Sequence, residues 1–182
     1  MRYEIMILGR GGQGVLLAGY ILGLAVAKYM GYYVTQTEYY GAETRGGETR
    51  SEVVVSDEGE ICYPKVRRAD IIILMYDSGF ISNYKYAITK STLIIYDPIL
   101  VRRLNVEAKT LPVPATRIAE ENLKSKLPAN MVMLGALASV NERIVTLNAL
   151  KNALSEVVKS TWLELNIRAV ELGYKYVKSL TT

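Results

Sequence analysis

Tyr3-Glu4-Ile5-Met6-Ile7-Leu8-Gly9-Arg10-Gly11-Gly12-Gln13-Gly14 is the stretch that decides the fold. An apolar run of strand length stops at a glycine, and glycines recur as G-x-G-x-x-G at Gly9, Gly11 and Gly14. From Val15 the pattern changes. Val15, Leu16, Leu17, Ile21, Leu22, Leu24 and Val26 surround nearly the whole circumference of a helix running to Met30, with Gly31 as its C-terminal cap. In such a loop glycines let the backbone turn sharply and approach a pyrophosphate. Free N–H groups and the helix dipole then hold the anion, and Arg10 adds a positive charge beside them. The same glycines also have a plainer reading, in which they only let helix and strand pack closely, with no ligand. A dinucleotide fingerprint calls for an acidic residue about 20 positions on. That neighbourhood reads Val34-Thr35-Gln36-Thr37, and Glu38 comes late.

Outward from the loop, Tyr32 to Thr37 reads as a second strand. Glu38 to Arg50 is polar and glycine-rich, and reads as a long shaped loop. Ser51 to Ser56 and Glu60 to Tyr63, across Asp57-Glu58-Gly59, read as a hairpin. Asp70 to Tyr76 is a wholly apolar strand after its first residue, as in a parallel sheet covered on both faces. A helix near Ser78 to Ile88 follows, with strands at Thr92 to Tyr96 and Val106 to Leu111. Beyond Pro114 the chain is mostly helical, with Asn130 as a cap for Met131 to Val140 and a last helix from Trp162 ended by Gly173. The fold expected is α/β: a Rossmann-like open, mostly parallel sheet with flanking helices and a β-hairpin insertion. Residues 1–182 form a single domain, which their number suits.

Composition removes several functions. There is no histidine, and Cys62 is the one cysteine, so this chain alone holds no disulfide and no cysteine-ligated cluster or zinc site. Cys62 is expected as a buried, inert thiol on the hairpin. The net charge of +4 is too small for a nucleic-acid stripe. Gly14 to Ala27 is too short for a membrane span. With no signal sequence ahead of the first strand, the expected location is cytoplasmic, with neither nucleic acid nor membrane as partner.

An ordered set of short motifs goes further. Gly11-Gly12-Gln13-Gly14 is followed by Ala18-Gly19, then Tyr40-Gly41-Ala42-Glu43 and Arg45-Gly46-Gly47. Pro64, Asp70, the run Pro114 to Ala119, Asn130 to Gly135, and Gly173-Tyr174 follow in order. The set resembles the gamma subunit of 2-oxoacid:ferredoxin oxidoreductases along nearly the whole chain. Tyr40 to Gly47 looks more like the 2-oxoglutarate type than the pyruvate type, although Ala42 and Thr44 depart from the pattern.

The resemblance implies an enzyme that oxidatively decarboxylates a 2-oxoacid to an acyl-coenzyme A and passes the electrons to ferredoxin. It implies partners: alpha and beta catalytic subunits holding thiamine diphosphate, and a ferredoxin-like delta subunit or domain, with iron–sulfur clusters in the partner chains. This chain would serve assembly and coenzyme A handling and would hold no catalytic residue and no metal. Isolated, it would be inactive and could form a homodimer. The residues singled out for a cofactor are Gly9, Arg10, Gly11, Gly12, Gln13 and Gly14 on one loop, and Tyr40, Gly41, Glu43, Arg45, Gly46 and Gly47 on the other. Both loops are expected at the carboxyl ends of strands, facing one crevice. Arg50 reads as a solvated loop charge. The alternative is a free-standing NAD(P)- or flavin-binding reductase.

Overall fold

The computed structural model describes residues 1–41, 46–76 and 79–180. Six strands form one open sheet: β1 (Arg2–Arg10), β2 (Tyr33–Tyr40), β3 (Glu48–Ser56), β4 (Ile71–Leu74), β5 (Leu93–Tyr96) and β6 (Lys109–Pro112). Their order across the sheet is β2-β3-β1-β4-β5-β6. β1, β4, β5 and β6 pair in parallel, whereas β3 runs antiparallel to both β1 and β2. Five strands therefore point the same way, and β3 alone is reversed.

The β-strand period of two sorts the core into layers. Ile5, Ile7, Val53, Val55, Ile71, Ile73 and Ile95 face a helical layer. That layer holds α1 (Val15–Leu24, continued by a π-helical turn Ala25–Tyr29), α2 (Ala115–Leu123), α3 (Ala129–Val140), α4 (Leu147–Val157) and α5 (Ser160–Leu180). Met6, Leu8, Val54, Ile72, Leu74 and Ile94 face a thinner layer built on a 3₁₀ segment, Phe80–Ala87, with Ile81, Tyr84, Val66 and Val101.

The hairpin is not where the sequence places it. It is β2–β3, in unbroken register from Tyr33↔Ser56 to Tyr40↔Thr49, and residues 60–63 are not a strand. The reason is edge occupancy. β3 is flanked on both sides, by β1 and by β2, so no edge is left for a strand after Gly59. The expected long loop from Glu38 to Arg50 shrinks accordingly to residues 41–47, because both strands run further than their polar composition suggests. Cys62 stands on the exposed connection after β3, not buried on a strand.

Two helix ends also differ. α5 passes through Gly173 and continues to Leu180, because that glycine is a packing site rather than a stop. Asn130 lies inside α3, whose N-cap position is Pro128. Its Oδ1 accepts from the Met131 N–H at 2.9 Å, and its side-chain amide also donates to the Gly14 carbonyl at 3.0 Å, joining α3 to the start of α1. On α1, Gly19 sits where a Cβ would stand 2.0 Å from Ser51 Oγ, whereas at Gly23 the nearest atom, Val34 Cγ2, is 3.9 Å away.

At the amino ends of the strands, carboxylates organise the crossover after β3. Glu4 Oε2 accepts from the N–H groups of Arg67 at 2.6 Å and Arg68 at 2.9 Å, and its Oε1 meets Arg2 at 3.0 Å. Burial opposes the charged form of Glu4, but the Arg68 and Arg67 N–H groups and the Arg2 guanidinium outweigh it, so its carboxyl titrates below the ordinary range. Asp70 accepts from the Glu4 N–H at 2.8 Å, yet burial, with the Glu4 charge adding to it, pushes its carboxyl up. The signs oppose. Glu4 contributes stability above the unfolded carboxylate range and loses it as pH falls through its lowered value. Asp70 contributes only at low pH and loses that contribution as pH rises through its raised value, so its ionised form is a cost at neutrality. Asp70→Asn keeps the acceptor for Glu4 and should raise stability at pH 7 by no more than about 0.5 kcal/mol, given solvent screening. Denaturant unfolding should show the gain at pH 7 and its disappearance in acid. A loss at pH 7 would contradict this reading.

Candidate functional site

β1 and β2 point the same way, so the glycine loop after β1 and the loop after β2 emerge at one end of the sheet. They touch there. The Gly11 N–H donates to the Gly47 carbonyl at 2.9 Å, and Arg10 Nε donates to the Gly46 carbonyl at 3.1 Å. The base of the second loop is closed by the Gly41 N–H on the Glu48 carbonyl at 2.8 Å. Glu43 and Arg45 lie outside the described residues.

The glycine-loop residues divide by what they meet. A Cβ on Gly9 would stand 2.7 Å from Val15 Cγ2, one on Gly11 3.4 Å from the Gly46 nitrogen, and one on Gly14 2.4 Å from Asn130 Nδ2. Gly14 also has φ +68°, which strains any other residue. The three fingerprint glycines therefore answer to the protein's own packing. Gly12 differs, with φ +94° and open space where a side chain would be. Gln13 is a strut: its Oε1 accepts from the Arg10 N–H at 2.7 Å and its Nε2 donates to the Met75 carbonyl at 2.8 Å, tying the ends of β1 and β4 together. Arg10 packs over the Tyr76 ring, 5.3 Å from its centre, and bonds to its hydroxyl at 3.3 Å.

Gly12 stands between two cavities. The first, about 260 Å³, lies over the ends of β4 and β5 and is lined by Gln13, Met75, Asp97, Leu100, Thr116, Lys126, Leu127 and Met133. The second, about 290 Å³, lies toward the helices and is lined by Gly14, Leu17, Leu127, Pro128, Asn130, Val158, Trp162 and Asn166. Leu127, at 72% exposure, and Trp162, at 51%, leave much apolar surface open at the second mouth. The N-termini of α1 and α3 reach this region, neither with an acidic residue in its first turn. In α3 the N–H groups of Ala129, Met131 and Val132 are already taken by the Lys126 and Pro128 carbonyls, so the positive ends of the two helix dipoles, rather than a row of free donors, make this surface attractive to anions.

Sequence reading missed Asp97, which is buried and shapes the first cavity. Its Oδ2 accepts from the Thr116 N–H at 2.8 Å and hydroxyl at 2.6 Å, and its Oδ1 from the Ile99 N–H at 2.9 Å. A carboxylate directly after an apolar strand was the available signal. Arg50 is corrected. It is a β3 residue held between the Tyr39 and Tyr84 rings, at 5.0 and 4.9 Å, with Glu52 at 2.9 Å, and not a solvated loop charge. Tyr84 also donates to Glu48, at the foot of the hairpin tip.

The topology bears on the reductase alternative. In a dinucleotide fold the ribose carboxylate ends a parallel strand beside β1. Here antiparallel β3 occupies that place, and Glu38, on β2, lies two strands from β1, roughly 10 Å away across the sheet. Glu38 takes a hydrogen bond from Gln36 at 3.1 Å. Among the described residues no cluster of three or more His, Cys, Asp or Glu is placed to hold a metal, and no helix is long and apolar enough to cross a membrane.

The family model for pyruvate ferredoxin/flavodoxin oxidoreductase matches residues 4–176. The chain belongs to that family. It is 40% identical to the 2-oxoglutarate synthase subunit KorC of Methanothermobacter thermautotrophicus, over 97% of this chain and 96% of that one. Among solved structures, the gamma subunit of a keto/oxoacid ferredoxin oxidoreductase from Geobacter sulfurreducens superposes with a TM-score of 0.84 at 28% identity, covering 97% of this chain and 99% of that chain. The 2-oxoglutarate:ferredoxin oxidoreductase of Magnetococcus marinus, solved with 2-oxoglutarate, coenzyme A and succinyl-CoA bound, gives 0.85 at 26% identity over 98% of this chain and 31% of that chain. The oxidoreductase fold unit is thus a separate chain in some family members and part of a longer chain in another. In both settings it is the mixed, open, helix-flanked sheet seen here.

Proposed function

We propose that this chain is the gamma subunit of a 2-oxoglutarate:ferredoxin oxidoreductase, which converts 2-oxoglutarate to succinyl-coenzyme A with ferredoxin as electron acceptor. The observation that carries the reading is 40% identity to KorC along essentially the whole of both chains. Alpha and beta subunits with thiamine diphosphate, and a ferredoxin-like delta subunit with iron–sulfur clusters, complete the enzyme in this reading. They supply the carbon and electron chemistry that a chain with no histidine and one cysteine lacks.

This subunit's own part is positional. The glycine loop and the 41–47 loop form one unit at the carboxyl ends of the strands, and that unit meets the catalytic subunits and coenzyme A. The open backbone at Gly12, the first turns of α1 and α3, and Lys126 suit phosphate groups; the apolar walls on either side suit the less polar remainder of coenzyme A. Arg45, between β2 and β3 in sequence, supplies a further cation to phosphate or to a partner carboxylate.

Affinity capture of this chain from its native lysate should recover the alpha, beta and delta chains. The purified complex should reduce ferredoxin with 2-oxoglutarate and coenzyme A, and much less well with pyruvate. Loss of a charge-assisted contact worth about 1.5–3 kcal/mol makes Arg45→Ala raise the KM for coenzyme A about tenfold or more, or weaken recovery of the alpha chain. Unchanged values for both would remove Arg45 from the site. Recovery of the chain alone with a bound dinucleotide would favour the free-standing reductase.

A further inference from the structure

The open sheet has two edges, and they are unlike. β6 is four residues long and carries Lys109 and Pro112. A lysine and a proline are what edge strands use to discourage pairing with other chains. β2, at the other edge, is eight residues long and reads Tyr33-Val34-Thr35-Gln36-Thr37-Glu38-Tyr39-Tyr40. It has no lysine, arginine, proline or glycine, and no bulge interrupts its register with β3. Nearly every residue favours an extended backbone. Its outer side presents a long row of N–H and C=O groups for which the sheet supplies no further strand.

We propose that β2 is the seam of a symmetric dimer of this chain, paired antiparallel with β2 of a second copy. The inference goes beyond the coenzyme A reading and does not depend on it. The strand is complementary to itself in one register. A two-fold axis normal to the sheet at Gln36 sets Tyr33 opposite Tyr39 of the second copy, Thr35 opposite its Thr37, and Val34 opposite its Glu38. Aromatic pairs and Thr–Thr pairs are favourable across strands, and like charges directly opposed are not. Glu38, the one charged residue of β2, never faces itself in this register. Tyr33 and Tyr39 are both largely exposed in the single chain and become partly covered. Because Tyr39 immediately precedes the strand end at Tyr40, the seam reaches the foot of the 41–47 loop.

The test uses the full chain, in which Cys62 is the only cysteine. In a Cys62→Ser background, Gln36→Cys should form an interchain disulfide under mild oxidation, and Thr37→Cys should do so much more slowly. Gln36 makes contacts of its own, so the pair of exposed substitutions Tyr33→Cys and Tyr39→Cys serves as the second variant. Together they should cross-link two chains through two bonds, and neither alone should. Sedimentation of the unmodified chain should give twice its 20.3 kDa mass. The same Gln36→Cys link between two copies is expected in the captured native complex. A monomer whose cysteines stay reduced in both preparations would overturn the proposal. So would faster cross-linking at Thr37→Cys, or a disulfide from Gln36→Cys to a different subunit in the complex. None of these outcomes touches the KM for coenzyme A, on which the functional reading is judged.

Discussion

Gly173→Ala is expected to cost the fold more than about 3 kcal/mol, although alanine favours a helix over glycine by about 1 kcal/mol. The reason is the crossing of α3 and α5. A Cβ on Gly173 would stand 1.9 Å from the Val132 carbonyl oxygen, and one on Gly135 would stand 1.9 Å from the Val170 carbonyl oxygen. The contact is reciprocal, backbone against backbone, and has no flexible side chain to yield. The two helices would have to part by more than an ångström along a seam that buries Met131, Leu134, Ala169 and Val170. Chemical denaturation of Gly173→Ala and Gly135→Ala should show losses of similar size, with helical circular dichroism nearly retained at low denaturant. A stable Gly173→Ala protein would mean that the helices do not meet at these glycines.

The second large effect is expected at Glu52, which is 2% exposed. Its Oε2 accepts from the Val66 N–H at 2.9 Å, and its Oε1 meets Arg50 at 2.9 Å. Glu52→Ala leaves a buried N–H without an acceptor and a guanidinium without its counter-charge, held between two tyrosine rings. Breaking one side of such a pair costs about 3–5 kcal/mol. Glu52→Gln keeps an acceptor and the shape, and should lose clearly less. A Glu52→Ala protein within about 1 kcal/mol of the parent would show that the pair contributes little. The local consequence matters for function. Arg50 and Tyr39 face each other across β2 and β3 just below the 41–47 loop, so loosening them loosens the tip that holds Gly11.

The apolar strands were legible because their burial on both faces writes continuous hydrophobic runs, as at Ile5 to Leu8 and Ile71 to Leu74. The glycine loop was legible through its spacing, and the joining of the two loops follows from strand direction. What the sequence could not disclose was the partner of each edge. Glu48 to Arg50 looks like loop because its polar residues serve contacts with Tyr84, Tyr39 and Glu52, none of which leaves a periodic mark. Gly173 looked like a helix stop because a glycine that admits another backbone and one that ends a helix are the same letter. Asn130 does hold the Met131 N–H, but its second partner, the Gly14 carbonyl, lies 116 residues away and leaves no local mark. Asp97 fixes the corner of a cavity from a position where no motif surrounds it.

The place of β1 at the centre of the sheet also governs how the chain must fold. Ile5 pairs with Val53 on one side and with Ile71 on the other, so β1 acquires both neighbours from well downstream in the chain. No local turn can close the central ladder. Long loops must be closed before its hydrogen bonds form, which places the chain among the slower folders of its size. Until β3 and β4 arrive, the apolar run from Ile5 to Leu8 has no ladder to join, and the growing chain is at its most aggregation-prone during that interval.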